Sequence, residues 1–388
     1  MWHHWSRLKS LTIQVRTTWF MLGISLVLLT ALEGSCRVVC WLRDLLSESG
    51  ITERALAEVN DDSLWIKDYF REFNEADYCE WHPYVYWRRK PYKGQWVNIS
   101  GRGIRKTWDE SQGRAEQRLR IFMFGGSTMW GTGARDEYTI ASCVARSLTE
   151  KGVGVEVTNF GETGYVSMQE LITLLGELER GNVPDMVVFY DGINDTFSAV
   201  QNREAGIPHN EENRREEFNS HIIGTRSVVR WMFSGLLRVS AAVFRRLSSG
   251  QENQHYDVDK LADDVIRHYR FVMNTAKDLG KVHGFQVLFY WQPTVFQKQH
   301  KSPREIASAE KGNYSEIGPF LETTYARIQN DGTLAADPSF RNISELFAQE
   351  AQPLFMDCWH LGERGNNLVG GYIAMDIYQM LEKEKGHH

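Results

Sequence analysis

Short apolar runs alternate with longer amphipathic segments over the C-terminal two thirds of the chain. Runs of four to seven apolar or mixed residues at this spacing are typical of strands buried on both faces. Amphipathic segments predict helices at about residues 137–151, 168–180, 258–279 and 366–384. The alternation predicts an α/β fold, a three-layer α/β/α sandwich around a mainly parallel five-stranded sheet. The five predicted strands are Leu119–Phe124, Val155–Asn159, Met186–Tyr190, Phe285–Trp291 and Leu354–Asp357.

One connection in this pattern is too long for a simple loop. The region at about 196–257 therefore predicts an insertion, with its own helix near 226–247. Basic residues alternate there with apolar ones, a pattern that suits a membrane-surface helix or a lid over the site. An amphipathic helix docked on the core gives the same pattern, and it is the commoner reason for an apolar stripe.

The N-terminus carries a different pattern, in which basic residues precede an apolar segment. Thr17–Leu32 has no charged residue, and a second apolar stretch, Val38–Leu42, follows. The first stretch is shorter than the roughly 20 residues that cross a bilayer, but Glu33 and Arg37 are four residues apart and could pair at the interface. We expect insertion into a membrane through residues 17–42.

A signal anchor is the preferred interpretation of this segment, and a cleaved signal peptide followed by secretion is the alternative. More basic residues precede the segment than follow it closely, which predicts that the rest of the protein lies outside the cytoplasm. The predicted organisation is a cytoplasmic tip and anchor at 1–43, a lead-in region at 44–118 packed on the core, and the main domain at 119–386.

The lead-in region contains a cluster of aromatic residues, Trp81–Trp87. Such a cluster could stack on sugars at the site, or it could simply cover the core with loops. Covering of the core is the more frequent role of aromatic residues in a lead-in region, and it is the interpretation that we favour.

Composition narrows the classes of function. The net charge of −6 over 388 residues provides no general attraction to nucleic acid, so no nucleic-acid partner is expected. Five cysteines are too few for a disulfide scaffold, although one bridge among Cys79, Cys143 and Cys358 remains open. No two cysteines have the spacing of a CxxC motif, and we expect no metal site.

The first candidate for chemistry lies directly after the first predicted strand. Ser127 follows Gly125 and Gly126, which allow a tight turn and a close approach of the backbone to a ligand. The carboxyl ends of parallel strands are where ligands bind in open α/β sheets. A serine in this loop is therefore a candidate nucleophile.

The loops after later strands supply the other groups that acyl transfer requires. Gly164 and Asn194 follow the second and third strands, and they offer a backbone N–H and a side-chain amide as donors to an oxyanion. Asp357 and His360, three residues apart before the last helix, could act as an orienting carboxylate and a general base.

These pieces, in this order at the ends of successive strands, resemble the four sequence blocks of the SGNH (GDSL-like) hydrolase superfamily. The resemblance runs from about residue 120 to 381, and the region around 81–126 resembles the lead-in of membrane-anchored members. It implies a flavodoxin-like sheet, Ser127 as nucleophile, Asp357 and His360 as its partners, and an oxyanion hole formed by Ser127, Gly164 and Asn194. One departure stands out: Gly126 occupies the position of the aspartate in Gly-Asp-Ser-Leu, which leaves the substrate class open.

The resemblance implies a serine esterase that acts on an acyl or acetyl ester of a carbohydrate or lipid through an acyl-enzyme, with no cofactor. Two alternatives stay open at this point. If a sugar hydroxyl replaces water, the same residues make an O-acyltransferase acting on envelope polysaccharide. A binding module that keeps the fold without the activity is the alternative from another class.

Three further residues near these blocks invite a chemical role. Cys358 lies between Asp357 and His360, but we expect a buried thiol and not a nucleophile. Asp191 and Asp195 could bind substrate, although turn and cap chemistry is their more common role.

Overall fold

The computed structural model describes residues 2–46, 53–60, 64–109, 118–222, 234–236, 239–240, 256–310 and 313–385. The chain divides into two compact units, one made of residues 1–49 and 212–255 and the other of residues 50–211 and 256–388. The sequence-based boundaries at 43 and 118 and the insertion at 196–257 stay predictions.

The described helices in chain order are α1 (Trp2–Leu46), α2 (Glu53–Val59), α3 (Ile66–Ala76), α4 (Ser127–Trp130), α5 (Ile140–Glu150), α6 (Ser167–Glu179), α7 (Ile193–Asn202), α8 (Glu211–Ile222), α9 (Val258–His283), α10 (Pro303–Glu310), α11 (Asn313–Gln329), α12 (Gly332–Ala336) and α13 (Glu363–Lys385). The strands are β1 (Cys79–His82), β2 (Tyr86–Arg89), β3 (Tyr92–Lys93), β4 (Asn98–Ile99), β5 (Leu119–Gly125), β6 (Val155–Asn159), β7 (Met186–Asp191), β8 (Gln286–Trp291) and β9 (Phe340–Asn342).

Helix α1 dominates the first unit. Its stretch Gln14–Cys40 is 27 residues long, enough by length and composition to cross a membrane, a property that signal anchors and signal sequences share. Glu33 and Arg37 form the ion pair that their spacing predicts, with 2.7 Å between Oε1 and Nε. Glu33 also accepts hydrogen bonds from the backbone N–H groups of Gly235 and Leu236. Apart from residues 234–236 and 239–240, the helix predicted near 226–247 lies outside the described residues.

A five-stranded sheet forms the centre of the second unit. Its strands lie in the order β6-β5-β7-β8-β9 and all neighbouring pairs are parallel. Numbered by their order in the chain, these strands run 2-1-3-4-5 across the sheet, which is the flavodoxin-like order. The predicted α/β class and the five-stranded parallel sheet are confirmed.

Alternation along the strands fills two separate cores, one on each face of the sheet. Phe122, Phe124, Phe189 and Phe289 point to one face, where helices α6, α9 and α11 contribute to the core. Residues such as Ile121, Val188 and Leu288 point to the other, where α5 and α13 pack. Because a parallel sheet must be covered on both faces, these two layers complete the sandwich.

The position of the fifth strand differs from the prediction. Leu354–Asp357 is not a strand of the sheet; the edge strand is β9, which pairs with β8. The apolar run is buried for another reason, since Leu354 and Phe355 donate their backbone N–H groups to the carboxylate of Glu305 and pack into the core. A short apolar run shows that a segment is buried, and it does not show what its backbone pairs with.

Residues 53–60 and 64–109 of the predicted lead-in region belong to the same compact unit as the sheet. Helices α2 and α3 build a third apolar core that includes Trp130 of α4 and Met356 next to Asp357. Arg105, after β4, forms isolated bridges with Ile99 and Asn159 and so continues from the β3–β4 hairpin to the edge strand β6. The lead-in region thus packs against the loops that follow the strands.

Candidate active site

Three of the predicted site residues form one hydrogen-bonded chain at the carboxyl edge of the sheet. Ser127 is the first residue of α4, directly after β5, while Asp357 and His360 lie in the loop before α13. His360 Nε2 is 2.7 Å from Ser127 Oγ, and His360 Nδ1 is 2.6 Å from Asp357 Oδ2. The fold therefore brings together side chains that are 233 residues apart in sequence.

The loop around Asp357 fixes how its carboxylate is used. Asp357 Oδ1 accepts hydrogen bonds from the backbone N–H groups of Trp359 (2.9 Å) and His360 (2.8 Å), so Oδ2 is left to face the imidazole. Burial alone would raise the pKa of Asp357, but the neighbouring His360 and these hydrogen bonds outweigh it and hold the pKa below its usual range. An ionised carboxylate accepts from Nδ1–H, which leaves the lone pair of Nε2 directed at Ser127 Oγ–H.

The other two predicted residues, Gly164 and Asn194, lie beside this chain. Gly164 has φ of +73°, a left-handed conformation that suits glycine. Asn194 Nδ2 donates to the carbonyl of Tyr165, the residue after Gly164, at 2.8 Å. The second N–H of the Asn194 amide remains for another acceptor. Within the described part of the chain, the backbone N–H groups of Ser127 and Gly164 donate to no other residue.

Gly126 explains the departure from the Gly-Asp-Ser-Leu pattern. A Cβ atom built on Gly126 would lie only 2.0 Å from Asn194 Nδ2. The amide of Asn194 thus rests directly on the backbone next to Ser127, and any side chain at position 126 would have to displace it. Here glycine is required for the close approach of Asn194 to the serine loop.

Aromatic rings surround the loop that carries Gly164, and the sequence pointed to only one of them. A Cβ on Gly164 would lie 3.6 Å from Trp87 Cζ2 and 3.6 Å from His209 Cδ2, so both rings lie within van der Waals reach of this position. His209 stacks on Phe197 at 5.1 Å between ring centroids, and Phe197 is 6.1 Å from Trp359. His209 and Phe197 lie outside every recognisable block, and only the folded chain brings them to the site.

Two buried arginines of the lead-in region hold the site loops. Arg105 donates to the carbonyls of Gly131 (2.7 Å) and Ala134 (2.6 Å), just after α4, and pairs with Asp136 at 3.0 Å. Arg89 donates through its backbone N–H to Glu162 and through its guanidinium to Thr163 Oγ1, in the loop that carries Gly164. Sequence reasoning missed both residues because an arginine in an irregular segment is usually exposed.

The remaining candidates lie away from the proposed reacting groups. Cys358 is buried, its Sγ donates to Ser308 O at 3.3 Å, and burial raises the pKa of its thiol to about 12. All five cysteines are free. Asp195 accepts from the backbone N–H and the hydroxyl of Ser167, the first residue of α6. Asp195 and Asp191 are both buried, and a role for them in substrate binding stays a prediction.

Glu170, Asp191 and Asp195 form a buried group of three carboxyls beneath the Asn194 loop. Burial, together with the negative charge of its two neighbours, raises the pKa of Glu170 well above its usual range. Burial raises the pKa of Asp191 and Asp195 as well. In the described part of the chain, no three His, Cys, Asp or Glu side chains are arranged as metal ligands. All three carboxyls therefore bind a proton more readily in the folded protein than in the unfolded chain.

Substitution of Glu170 by glutamine is expected to make the protein less sensitive to rising pH. A carboxyl whose folded pKa is raised binds a proton in the folded state after the unfolded chain has lost it, so its contribution to stability falls as pH rises above about 4.3. In Glu170→Gln, stability relative to wild type should increase with pH, by up to about 1.4 kcal/mol per pH unit. Thermal unfolding of the detergent-solubilised full chain between pH 5 and 8 measures this. A difference in Tm between Glu170→Gln and wild type that stays constant with pH would contradict a raised pKa for Glu170.

Among known proteins, similarity was found to solved structures only. No protein-family model matches the chain, and no curated protein matches its sequence. The solved structures similar to it include an acetyl xylan esterase, with 13% identity and a TM-score of 0.35. The match covers 68% of this chain and 99% of the esterase chain. A member of the lipolytic G-D-S-L family from Veillonella parvula has 14% identity and a TM-score of 0.35 over 67% of this chain and 98% of its own. A lipase/acylhydrolase from Enterococcus faecalis has 16% identity and a TM-score of 0.35 over 67% and 95%. Because these likenesses are distant, the case for function rests on the geometry of the site.

Proposed function

We propose that this protein is a serine ester hydrolase whose nucleophile is Ser127. The observation that carries the proposal is the continuous hydrogen-bonded chain from Ser127 Oγ through both nitrogens of His360 to the carboxylate of Asp357. A nucleophile next to a base that is itself oriented by a third group is the arrangement that activates a serine hydroxyl.

In the proposed reaction, Ser127 Oγ attacks the carbonyl carbon of the ester while its proton passes to His360 Nε2. Asp357 stabilises the imidazolium that forms, and it keeps its own charge. Collapse of the tetrahedral intermediate breaks the bond to the alcohol, which leaves with the proton from His360, and the acyl group stays on Ser127. Water then attacks the acyl-enzyme by the same route and releases the acid.

The oxyanion of each tetrahedral intermediate needs donors in a fixed position. We assign this role to the backbone N–H groups of Ser127 and Gly164 and to the second N–H of the Asn194 amide. The contact of Asn194 with Tyr165 O and Gly126 supports the assignment, since it holds the amide next to the serine loop before any substrate binds.

Replacing Asn194 with alanine is expected to lower kcat for a short-chain aryl ester by about 10²–10³-fold, with little change in KM. The amide would act on the oxyanion and not on the ground-state carbonyl, which is why kcat carries the effect. Initial rates with 4-nitrophenyl acetate test this. Gln201→Ala, on the same helix α7 but bonded to the exposed Asn210, is the matched control and should retain wild-type rates. An equal loss in both variants would show a general disturbance of α7.

Covalent labelling is the direct test of the nucleophile. A fluorophosphonate probe should modify the detergent-solubilised full chain, and peptide mass spectrometry should place the adduct on Ser127. A folded protein that neither reacts with the probe nor cleaves short-chain aryl esters would instead be a binding module that keeps the fold alone.

We also propose that α1 anchors the protein in a membrane with the catalytic domain outside the cytoplasm. The length and composition of Gln14–Cys40 support an anchor, and the basic residues before it support this orientation. Retention of the full-length chain in membranes after an alkaline carbonate wash tests anchoring. A shortened chain in the medium would favour signal cleavage and secretion.

A further inference from the structure

Three aromatic rings of the β1–β2 hairpin form a row, called here the aromatic strip: Trp87, Tyr86 and Trp81. The centroids of Trp87 and Tyr86 are 6.5 Å apart with ring planes inclined by 28°. Tyr86 and Trp81 follow at 5.5 Å and 29°. Trp87 and Tyr86 are half-buried, whereas Trp81 exposes 69% of its surface. The strip thus runs from two half-buried rings to an outer ring, Trp81, that is mostly exposed to solvent.

The hairpin that carries the strip is firmly attached beside the site. A two-stranded hairpin is marginal by itself, so its position depends on contacts with the main domain. Trp87 Nε1 donates to Thr163 O at 2.9 Å, Tyr165 OH donates to Trp87 O, and Gln169 Nε2 donates to Val85 O. These bonds fix the strip to the loop that contains Gly164, although the exposed end of the strip adds nothing to the core.

The inner end of the strip reaches the proposed oxyanion hole. Trp87 and His209 both lie within van der Waals reach of a Cβ built on Gly164, whose backbone N–H is a proposed oxyanion donor. A substrate chain that passes over Gly164 would meet Trp87, and the strip continues from Trp87 through Tyr86 to Trp81. The strip therefore begins at the loop that carries Gly164, one of the proposed oxyanion donors.

We propose that the aromatic strip is a binding subsite for the glycan chain of a carbohydrate ester. This inference rests on the proposed function, because it assigns the alcohol portion of the ester to the strip. The C–H faces of pyranose rings are apolar and stack on aromatic rings, while their hydroxyl edges need polar neighbours. Tyrosine and tryptophan supply both an apolar face and a polar edge, and rigid exposed aromatics of this kind mark binding surfaces.

The chemistry along the strip favours a sugar over a lipid chain. The surface is made of aromatic rings and not of the aliphatic side chains that line acyl-chain sites. Exposed Glu80 precedes Trp81 on β1, and exposed Lys90 follows β2. These charges on the hairpin would lose their hydration at a cost if it entered a lipid layer, which disfavours a lipid partner.

A change in substrate preference tests the subsite. Activity of the full chain is measured on an O-acetylated xylohexaose and on 4-nitrophenyl acetate, and the two kcat/KM values are expressed as a ratio. In Trp81→Ala this ratio should fall about tenfold, mainly through KM for the oligosaccharide, because one large stacking partner is removed. Tyr78→Ala is the matched control, because Tyr78 is 65% exposed, directly precedes β1 and lies outside the strip. In this variant the ratio should stay as in wild type. An unchanged ratio in Trp81→Ala would overturn the subsite.

Binding without turnover separates this inference from the proposed function. Calorimetric titration of Ser127→Ala with xylohexaose, cellohexaose and chitohexaose should show binding of at least one, weakened about tenfold when Trp81→Ala is added. If wild type fails to react with a fluorophosphonate but this binding is seen, the hydrolase proposal fails and the subsite stands. If the probe labels Ser127 but none of the three hexasaccharides binds, the subsite fails alone. Loss of binding to phosphatidylglycerol vesicles in Trp81→Ala, with an unchanged ratio, would assign the strip to the membrane surface instead.

Discussion

The variant Ser127→Ala is expected to lose activity on 4-nitrophenyl acetate by about 10⁴–10⁶-fold in kcat/KM. Ser127 Oγ is the atom to which His360 Nε2 is hydrogen-bonded, and alanine has no group that can attack the ester or receive the acyl chain. A small residual rate should remain from the oxyanion donors and substrate binding.

Stability provides the control for this variant. Ser127 is buried in the short helix α4, and alanine fits the same space, so Tm should shift by only a few degrees. Ser147→Ala, a half-buried serine on α5 away from the site, should keep full activity and fluorophosphonate labelling. Retention of more than about one hundredth of the activity in Ser127→Ala would mean that another group is the nucleophile.

The second large effect is expected from Asp357→Asn, with a loss of about 10⁴-fold in kcat. An asparagine can keep the acceptor that binds the N–H groups of Trp359 and His360, so its amide N–H would then face His360 Nδ1. The imidazole would hold its proton on Nε2 and present N–H to Ser127 instead of a lone pair. The base would be in place but in the wrong tautomer.

Two measurements separate this effect from simple damage to the loop. Fluorophosphonate labelling of Ser127 should slow in parallel with turnover, since both need the base. At neutral pH the variant should also lose some stability, because a carboxyl with a lowered folded pKa stabilises the protein above its unfolded pKa and ceases to do so as pH falls. The difference in Tm between Asp357→Asn and wild type should therefore shrink towards pH 3. A variant with near-normal turnover would remove Asp357 from the mechanism.

Much of the fold follows from periodicity in the sequence. The predicted helices at 258–279 and 366–384 correspond to α9 and α13, with ends displaced by a few residues. The first four predicted strands are present because each is a continuous apolar run between helices, the pattern of a strand covered on both faces. The edge strand β9, Phe340–Asn342, was missed because a three-residue strand with one polar face has no such pattern.

The residues of the proposed site likewise include some that the sequence predicts and some that it does not. Ser127, Gly164, Asn194, Asp357 and His360 could be predicted because each follows a strand or precedes a helix in a short motif of fixed spacing. From the sequence Gly126 is only a departure from the pattern, since the reason for the glycine is the amide of Asn194 on helix α7, which lies against it. Arg105 and His209 depend wholly on contacts between distant segments, for which a single sequence carries no signal.

The contacts of the lead-in region determine how far the chain can be shortened from its N-terminus. Tyr69 of α3 accepts a hydrogen bond from Gly133 N at 2.9 Å, and the α2–α3 core includes Trp130 and Met356. A fragment beginning at the first strand of the sheet would therefore expose apolar surface beneath both the serine loop and the aspartate–histidine loop. The shortest fragment expected to fold with these loops covered starts ahead of α2, near residue 53. Any chimera that grafts this sheet onto another leader must carry the buried Arg105 with it.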